Sequence, residues 1–290
     1  MELFTTVGLP EHFITLTPTS DVMTVGSCFA QHVGTLLQQR MGEEHVMVNP
    51  FGVLYNPVSI AQSLLMLTEG EKPDGRIFLG QDNVWHSWTH SSLFSAPTEE
   101  ECRRKVVTSV CEARHRLRSA SLLCITFGTT RCYRLLSEGY VVANCHKEPQ
   151  RCFSEEEYPL DSLISLWRDV LQRLHAFAPE MKVCFTVSPY RYRKYGYHES
   201  QIQKSKLLLL ADALVSSDDH TAYFPAYEIM LDELRDYRFY APDMLHPSEQ
   251  AVGIISSRFE QWTFSPEMKN VAEERYREWR RSLHRQIVKP

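Results

Sequence analysis

DVMTVGSCFAQ, residues 21–31, is the stretch from which the fold can be read. Val22 to Val25 is short and rich in β-branched residues, as strands are, and Phe29, Val33, Leu36 and Leu37 then recur at helical spacing. A strand that turns sharply into a helix predicts the first βα unit of an open α/β sheet. Gly26 lets the chain bend without a Cβ. Ser27 has two readings. It is a good helix N-cap. It also stands where unpaired N–H groups and the positive end of the helix dipole favour an alkoxide or a tetrahedral oxyanion. Position alone leaves both open.

Outward from that unit, β-branched runs alternate with amphipathic stretches. Further strands are predicted at Val46–Val48, Leu122–Phe127, Val183–Val187 and Ala222–Phe224, with a sixth short element at Tyr140–Ala143. Asn56-Pro57 starts a helix with Asn as cap and Pro at the first helical position. Thr98-x-x-Glu101 is a capping box, followed by the apolar face Val106, Val110 and Leu117. Leu163, Leu166, Trp167, Val170, Leu171 and Leu174 mark a buried helical face over Leu163–Phe177. Helices are also predicted at Ser200–Val215, Glu228–Arg235 and Glu249–Trp262, and a charged one from Pro266 to about Gln286. The alternation predicts a three-layer α/β/α fold, flavodoxin-like, with a mostly parallel sheet of about five strands. The expected organisation is one domain over residues 1–265, with an insertion at about 65–120, then a charged helix over 266–290. Ligands in such sheets bind beyond the carboxyl ends of the strands, so residues just after strands carry the most weight.

Composition narrows the function. With 43% hydrophobic and 23% charged residues, the 290-residue chain has the make-up of a soluble globular protein. A net charge of −5 gives no electrostatic footprint for nucleic acid, despite the local basic run Arg191–Lys194. MELFTTVGLPEHF lacks the basic and apolar regions of a signal peptide. The longest apolar runs, LLLLADALV and SLLMLT, are far shorter than the roughly 20 residues of a membrane span. Eight cysteines without a C-x-x-C pair argue against a zinc ribbon and a disulfide framework. A cytoplasmic protein with reduced cysteines and neither nucleic-acid nor membrane partners is expected.

A serine nucleophile needs a base. In APDMLHPSEQA, residues 241–251, Asp243 and His246 are three residues apart in a segment that leads into a helix. That spacing lets a carboxylate and an imidazole from one loop face the same cleft, with the carboxylate orienting the ring. A lone D-x-x-H is common by chance, and a loop pair with only local hydrogen bonds is the competing reading.

These motifs together resemble the GSCFA family, a relative of the SGNH/GDSL hydrolases. Gly-Ser-Cys-Phe-Ala is residues 26–30, and the resemblance continues through NPFGVLYNPVSI, FGTT, NCHK, TVSP, FPAYEIMLDELRDYRFY and DMLHPS, over roughly residues 20–260. It implies an SGNH-like fold with Ser27 as nucleophile, His246 as base and Asp243 as its orienter. It also implies an oxyanion hole built from the backbone at Ser27, a glycine matched by Gly52, and an asparagine of a G-x-N-D block. This chain reads Gly128-Thr129-Thr130-Arg131 at that block. The third donor is therefore expected from Asn144, with Thr129 or Thr130 as alternatives. The family's histidine near TVSP is absent, Arg191 and Tyr192 standing there instead.

Competing chemistry comes from Cys28, since thiolates are strong nucleophiles. Adjacent residues on a turn point differently, so its side chain is expected to face the sheet, buried and unreactive. Zinc ligation by Cys145, His146 and His246, or by His86 and His90 at i, i+4, is a further alternative. NVWHSWTHSS reads as a loop or hairpin, however, and neither metal nor cofactor is expected. On the substrate side, Arg235, Arg238, Tyr240 and His146 are expected to bind a polar carrier, against a competing Arg–Asp network that merely holds the loop. The expected function is that of a serine-dependent esterase or acyltransferase. Its expected substrate is a small ester-linked acyl group on a carbohydrate or another polar carrier. The alternative is a non-catalytic carbohydrate- or protein-binding module on the same fold.

Overall fold

Apolar residues that line up across three neighbouring strands build the centre of the molecule. The computed structural model describes residues 5–69 and 75–287. The chain runs β1 (Val22–Gly26), α1 (Cys28–Met41), β2 (Val46–Val48) and α2 (Pro57–Glu69). A hairpin of β3 (Ile77–Leu79) and β4 (Trp85–Ser87) precedes α3 (Glu99–Ser119) and β5 (Leu122–Phe127). Then come β6 (Arg131–Leu135), β7 (Val141–Val142), β8 (Phe153–Glu157), α4 (Leu160–Phe177) and β9 (Lys182–Val187). The chain continues with α5 (Tyr197–Val215), β10 (Thr221–Tyr223), α6 (Ala226–Glu228), α7 (Glu249–Thr263) and α8 (Pro266–Ile287).

β10, β9, β5, β1 and β2 lie side by side in that order, all parallel. The fold is therefore α/β with a five-stranded parallel central sheet. Met23 stands level with Leu123 and Leu123 with Val183; Val25, Ile125 and Phe185 form the next row. These rows, with Phe127 and Val187, pack under α2, α3, α4 and α5. Val22, Leu122, Cys184 and Ala222 face the other way, under α1, α7 and α8. Burial on both faces explains why the strands read as nearly continuous apolar runs. Among the described residues, no helix is long and apolar enough to cross a membrane.

Trp167 of α4 is fully buried, its ring edge-on to Phe127 at 5.0 Å and to Phe185 at 5.6 Å. Trp167→Ala is expected to cost about 3–5 kcal/mol, read as a lower urea midpoint. An unchanged midpoint would mean that this face of the sheet is not packed as described.

Two parts differ from the sequence reading. Tyr140–Ala143 does not join the central sheet: β7 pairs with β6, and β6 with β8, in a separate antiparallel sheet of order β7-β6-β8. The helix expected over Glu228–Arg235 is instead the short α6 followed by a π-helical turn, Ile229–Glu233, closed by Leu234 N–H on Ile229 O at 2.8 Å.

Candidate active site

The strand order reverses between β1 and β5, and ligand crevices form at such switch points. Ser27 sits at this one. Gly26 leaves β1 at φ 143°, and a Cβ on it would lie 2.2 Å from Thr126 O of the neighbouring strand, so no other residue fits. Asn49 Oδ1 accepts the Gly26 N–H at 2.9 Å, and Leu54 N–H donates to Gly26 O at 2.9 Å. The turn is thus held from two sides. Ser27 caps α1, its Oγ accepting the Phe29 N–H at 3.3 Å, and is only 3% exposed. Gly128, after β5, lies against it: a Cβ there would meet Ser27 Cβ at 3.5 Å and Tyr55 O at 3.0 Å.

Ser27 lines a cavity of about 420 Å³, within the usual range for small-molecule sites. Gly128, Thr129 and Arg131 contribute from beyond β5, and Ser188, Tyr190 and Tyr192 from beyond β9. Tyr55 and Asn56 come from the loop before α2, Tyr133 from β6, and Val142 to Cys145 from the β7 end. Cys28, Phe29 and His32 of α1 and His246 with Pro247, in the loop before α7, complete the wall.

His246 is held firmly. Its Nδ1 lies 2.5 Å from Asp243 Oδ2, while Asp243 Oδ1 accepts the backbone N–H groups of Leu245 and His246 at 2.9 and 3.0 Å. The bond to the imidazole, then these two N–H groups, hold the Asp243 carboxyl well below the usual carboxylate range. With Nδ1 engaged, Nε2 is the ring nitrogen left to act as a base. The Tyr190 ring packs on the imidazole at 4.4 Å, and Arg191 N–H donates to Leu245 O at 3.0 Å, tying this loop to the end of β9. Tyr190 occupies the stretch where the sequence offered no replacement for the absent histidine, and its packing on His246 is a role that sequence reading did not foresee.

The sequence pattern of the GSCFA family matches residues 21–259. The chain belongs to the GSCFA family. Comparison with curated proteins finds none that matches. Solved structures give distant likenesses. One is a candidate acylhydrolase from Bacteroides fragilis, with 10% identity, TM-score 0.44, and coverage of 90% of this chain and 92% of that one. Another is a carbohydrate esterase family 2 enzyme with a carbohydrate-binding domain from Corynascus thermopiles (Myceliophthora fergusii), with 9% identity, TM-score 0.43, and coverage of 89% and 67%. A third is an acetyl xylan esterase from the rumen bacterium Butyrivibrio proteoclasticus, with 7% identity, TM-score 0.39, and coverage of 86% and 64%. At these values the likeness assigns no activity to this chain.

Several residues expected at the site lie elsewhere or are otherwise engaged. Gly52 does not line the cavity: its N–H donates to Asn49 O at 2.7 Å, and its φ of 72° and close packing on Ser91 are what require a glycine. The Ser27 N–H donates to Thr126 O at 3.3 Å. Thr130 donates its hydroxyl to Glu157 at 2.8 Å outside the wall, and Thr129, inside it, donates to Gln203 Oε1 at 2.6 Å. Asn144 does line the cavity, with Oδ1 accepting His146 N–H at 2.7 Å and its amide hydrogens as its remaining donors. Asn56 offers the same chemistry, because its Oδ1 caps α2 through Ser59 N–H at 2.8 Å. Sequence reading took Asn56 for a cap alone.

The expected carrier-binding set is not in the wall either. Arg235 is exposed, and Arg238 pairs with Asp236 at 3.5 Å on the surface, as the competing network reading had it. Tyr240 lies under the Arg191 guanidinium at 5.1 Å and bridges to Pro247, supporting the His246 loop from behind. His146 is buried against His86 and Trp88, with Nε2 2.8 Å from Ser87 O, and burial pulls its pKa down to about 4.

Cys28 is a further correction. It is half-buried and lines the cavity, its Sγ 3.3 Å from the Tyr55 hydroxyl. The residues of α1 that face the sheet begin at Phe29 and Ala30. One residue earlier on the helix is about 100° round, which puts Cys28 on the side shared with His32, another wall residue. Native labelling with a small maleimide, mapped by mass spectrometry, is expected to modify Cys28 and to suppress later capture of Ser27 by a fluorophosphonate. A Cys28 that resists labelling under these conditions would restore the buried reading.

Proposed function

We propose that the protein is a serine-dependent esterase or acyltransferase acting on small ester-linked acyl groups. The observation that carries this reading is the shared cavity. Ser27, at a helix N-terminus, and His246, oriented by Asp243 at 2.5 Å, open onto the same enclosed space at the carboxyl edge of the sheet. In the reaction, His246 Nε2 takes the Ser27 proton as Oγ bonds to the ester carbonyl carbon. The imidazolium then protonates the leaving alkoxide as the ester C–O bond breaks. Water or an acceptor hydroxyl, giving its proton to the same nitrogen, then bonds to the acyl carbon, and the bond from that carbon to Ser27 Oγ breaks as the imidazolium returns the proton to Oγ. The amide groups of Asn56 and Asn144 offer side-chain N–H donors for the oxyanion.

The wall also bears on the carrier. Tyr55, Tyr133, Tyr190 and Tyr192 offer apolar ring faces with hydroxyl tips, as polyhydroxylated rings require. Arg131 offers no free cation for an anionic group. Its guanidinium is bonded to Glu199 at 2.8 Å, lies 3.8 and 4.0 Å from Glu157 and Glu155, and stacks on Tyr195. An uncharged carbohydrate suits this wall better than a phosphorylated or carboxylated one.

The binding-module reading keeps one observation in its favour, since Ser27 Oγ accepts the Phe29 N–H as any helix cap does. A screen of acetylated sugars and p-nitrophenyl esters, run with wild type and Ser27→Ala, separates the two. Ester turnover that depends on Ser27 supports the enzyme; binding of sugars without turnover in either protein supports the module.

A further inference from the structure

Lys204, in the middle of α5, is 2% exposed. A lysine so buried normally has an anionic partner. None pairs with this one among the described residues; its Nζ instead donates to two carbonyls, Gly128 O and Ser188 O, each at 2.7 Å. Burial pulls its pKa down to about 7, while the two carbonyls favour the ammonium.

Both acceptors are cavity-wall residues at the ends of adjacent strands. The last ladder pair of β5 and β9 is Phe127 with Val187, and Ser188 N–H still donates to Phe127 O at 2.8 Å. Beyond that point the strands part, and the Gly128 N–H turns away to Tyr55 O. The next carbonyls on both strands need donors, and Lys204 supplies both from one atom. Neighbouring α5 side chains secure the same loop, with Gln203 Oε1 accepting the Thr129 hydroxyl at 2.6 Å and Glu199 accepting Arg131 at 2.8 Å. Lys204 alone reaches across two strands. Its acceptor Gly128 is the residue that lies against Ser27.

We infer that Lys204 is a positioning residue for the Ser27 site, clipping the Gly128 and Ser188 carbonyls together and so fixing the floor on which Ser27 reacts. The kinetic consequence rests on the proposed esterase reading; the clip itself does not. An apolar side chain of the same length fills the space but leaves both carbonyls without a donor, so the two strand ends move apart while the core stays packed.

The test pairs kinetics with hydrogen exchange on Lys204→Met. With p-nitrophenyl acetate, kcat is expected to fall by about 10- to 100-fold with KM nearly unchanged, as for a small misplacement of reacting groups. Amides of peptides covering residues 127–131 and 188–192 are expected to exchange faster, with those of β1 unchanged. In an active enzyme both changes are required, and either without the other overturns the inference. Should Lys204→Met fail to fold, Lys204→Gln is read by the same assays. Failure of both to fold assigns Lys204 to stability alone and also overturns it. A wild type without Ser27-dependent turnover defeats the esterase reading separately, and exchange alone then decides whether the clip exists.

Discussion

Ser27→Ala is expected to abolish covalent capture by a fluorophosphonate probe and to lower ester turnover by on the order of 10⁴–10⁶-fold. No second hydroxyl takes its place on the turn, because Gly26 precedes it and Cys28 follows. Stability should change little by comparison. The bond that Ser27 Oγ accepts from Phe29 N–H is long at 3.3 Å, and losing a serine cap costs about 0.5–2 kcal/mol. Thermal melting and turnover measured on the same preparation therefore separate the two roles. A protein that loses stability within that range yet keeps its ester turnover has Ser27 as a cap and its chemistry elsewhere.

His246→Ala should slow acylation by about 10²–10⁴-fold, the usual contribution of a positioned general base, with the fold intact. Asp243→Asn should also slow it, because an amide at that position cannot stabilise the imidazolium. The pH dependence has a definite sign. Asp243 is held below the usual carboxylate range by the imidazole bond first and the two backbone N–H groups next. It therefore stays ionised as the medium is acidified through the ordinary carboxylate range. The stabilising effect of the lowered Asp243 pKa is fully present above its unfolded value of about 3.9. It is lost only as the pH drops through the still lower folded value. Asp243 should thus go on supporting its loop when most exposed carboxylates are already protonated. Acid titrations of the circular dichroism of wild type and Asp243→Asn check this; a stability difference that has already vanished at about pH 4 would contradict it.

Much of this was legible in the sequence, for physical reasons that differ from part to part. β1, β5 and β9 announce themselves because both faces are buried and nearly every residue is apolar. The β6–β8 sheet was not legible. In RCYRL and FSEEE the charges find partners across the strand pair and from α5, as Arg134 does in Glu156 at 2.9 Å and Arg131 in Glu157 at 3.8 Å and Glu199 at 2.8 Å. Read singly, each segment looks like a solvated loop. That Ser27 and His246 line one cavity was foreseeable because one stands at a strand end and the other in a compact loop before a helix. Arg235 to Tyr240 misled for the same reason: adjacency to Asp243 along the chain did not carry over into space, and Tyr240 backs the loop rather than facing the cavity. Gly52 misled because a glycine required by a positive φ looks, in sequence, like one required by a ligand.

The β7-β6-β8 sheet supplies the Tyr133 and Val142–Cys145 part of the cavity wall and divides its apolar residues between two clusters, Leu135 and Val142 packing with Trp88 and Phe153 in a small one, Cys132 and Val141 in the large one under α2 to α5. This separation has an evolutionary corollary. Substitutions at Tyr133, Val142 or Cys145 bear on the small cluster and those at Ala143 on the large one, whereas Ser27, Gly128 and His246 stand on the turns after β1 and β5 and in the loop before α7. The part of the wall that answers to the small cluster can therefore drift, or be redesigned, under mostly local constraints. On the esterase reading proposed above, new carriers become reachable through mutations there that leave Ser27, His246 and their support untouched.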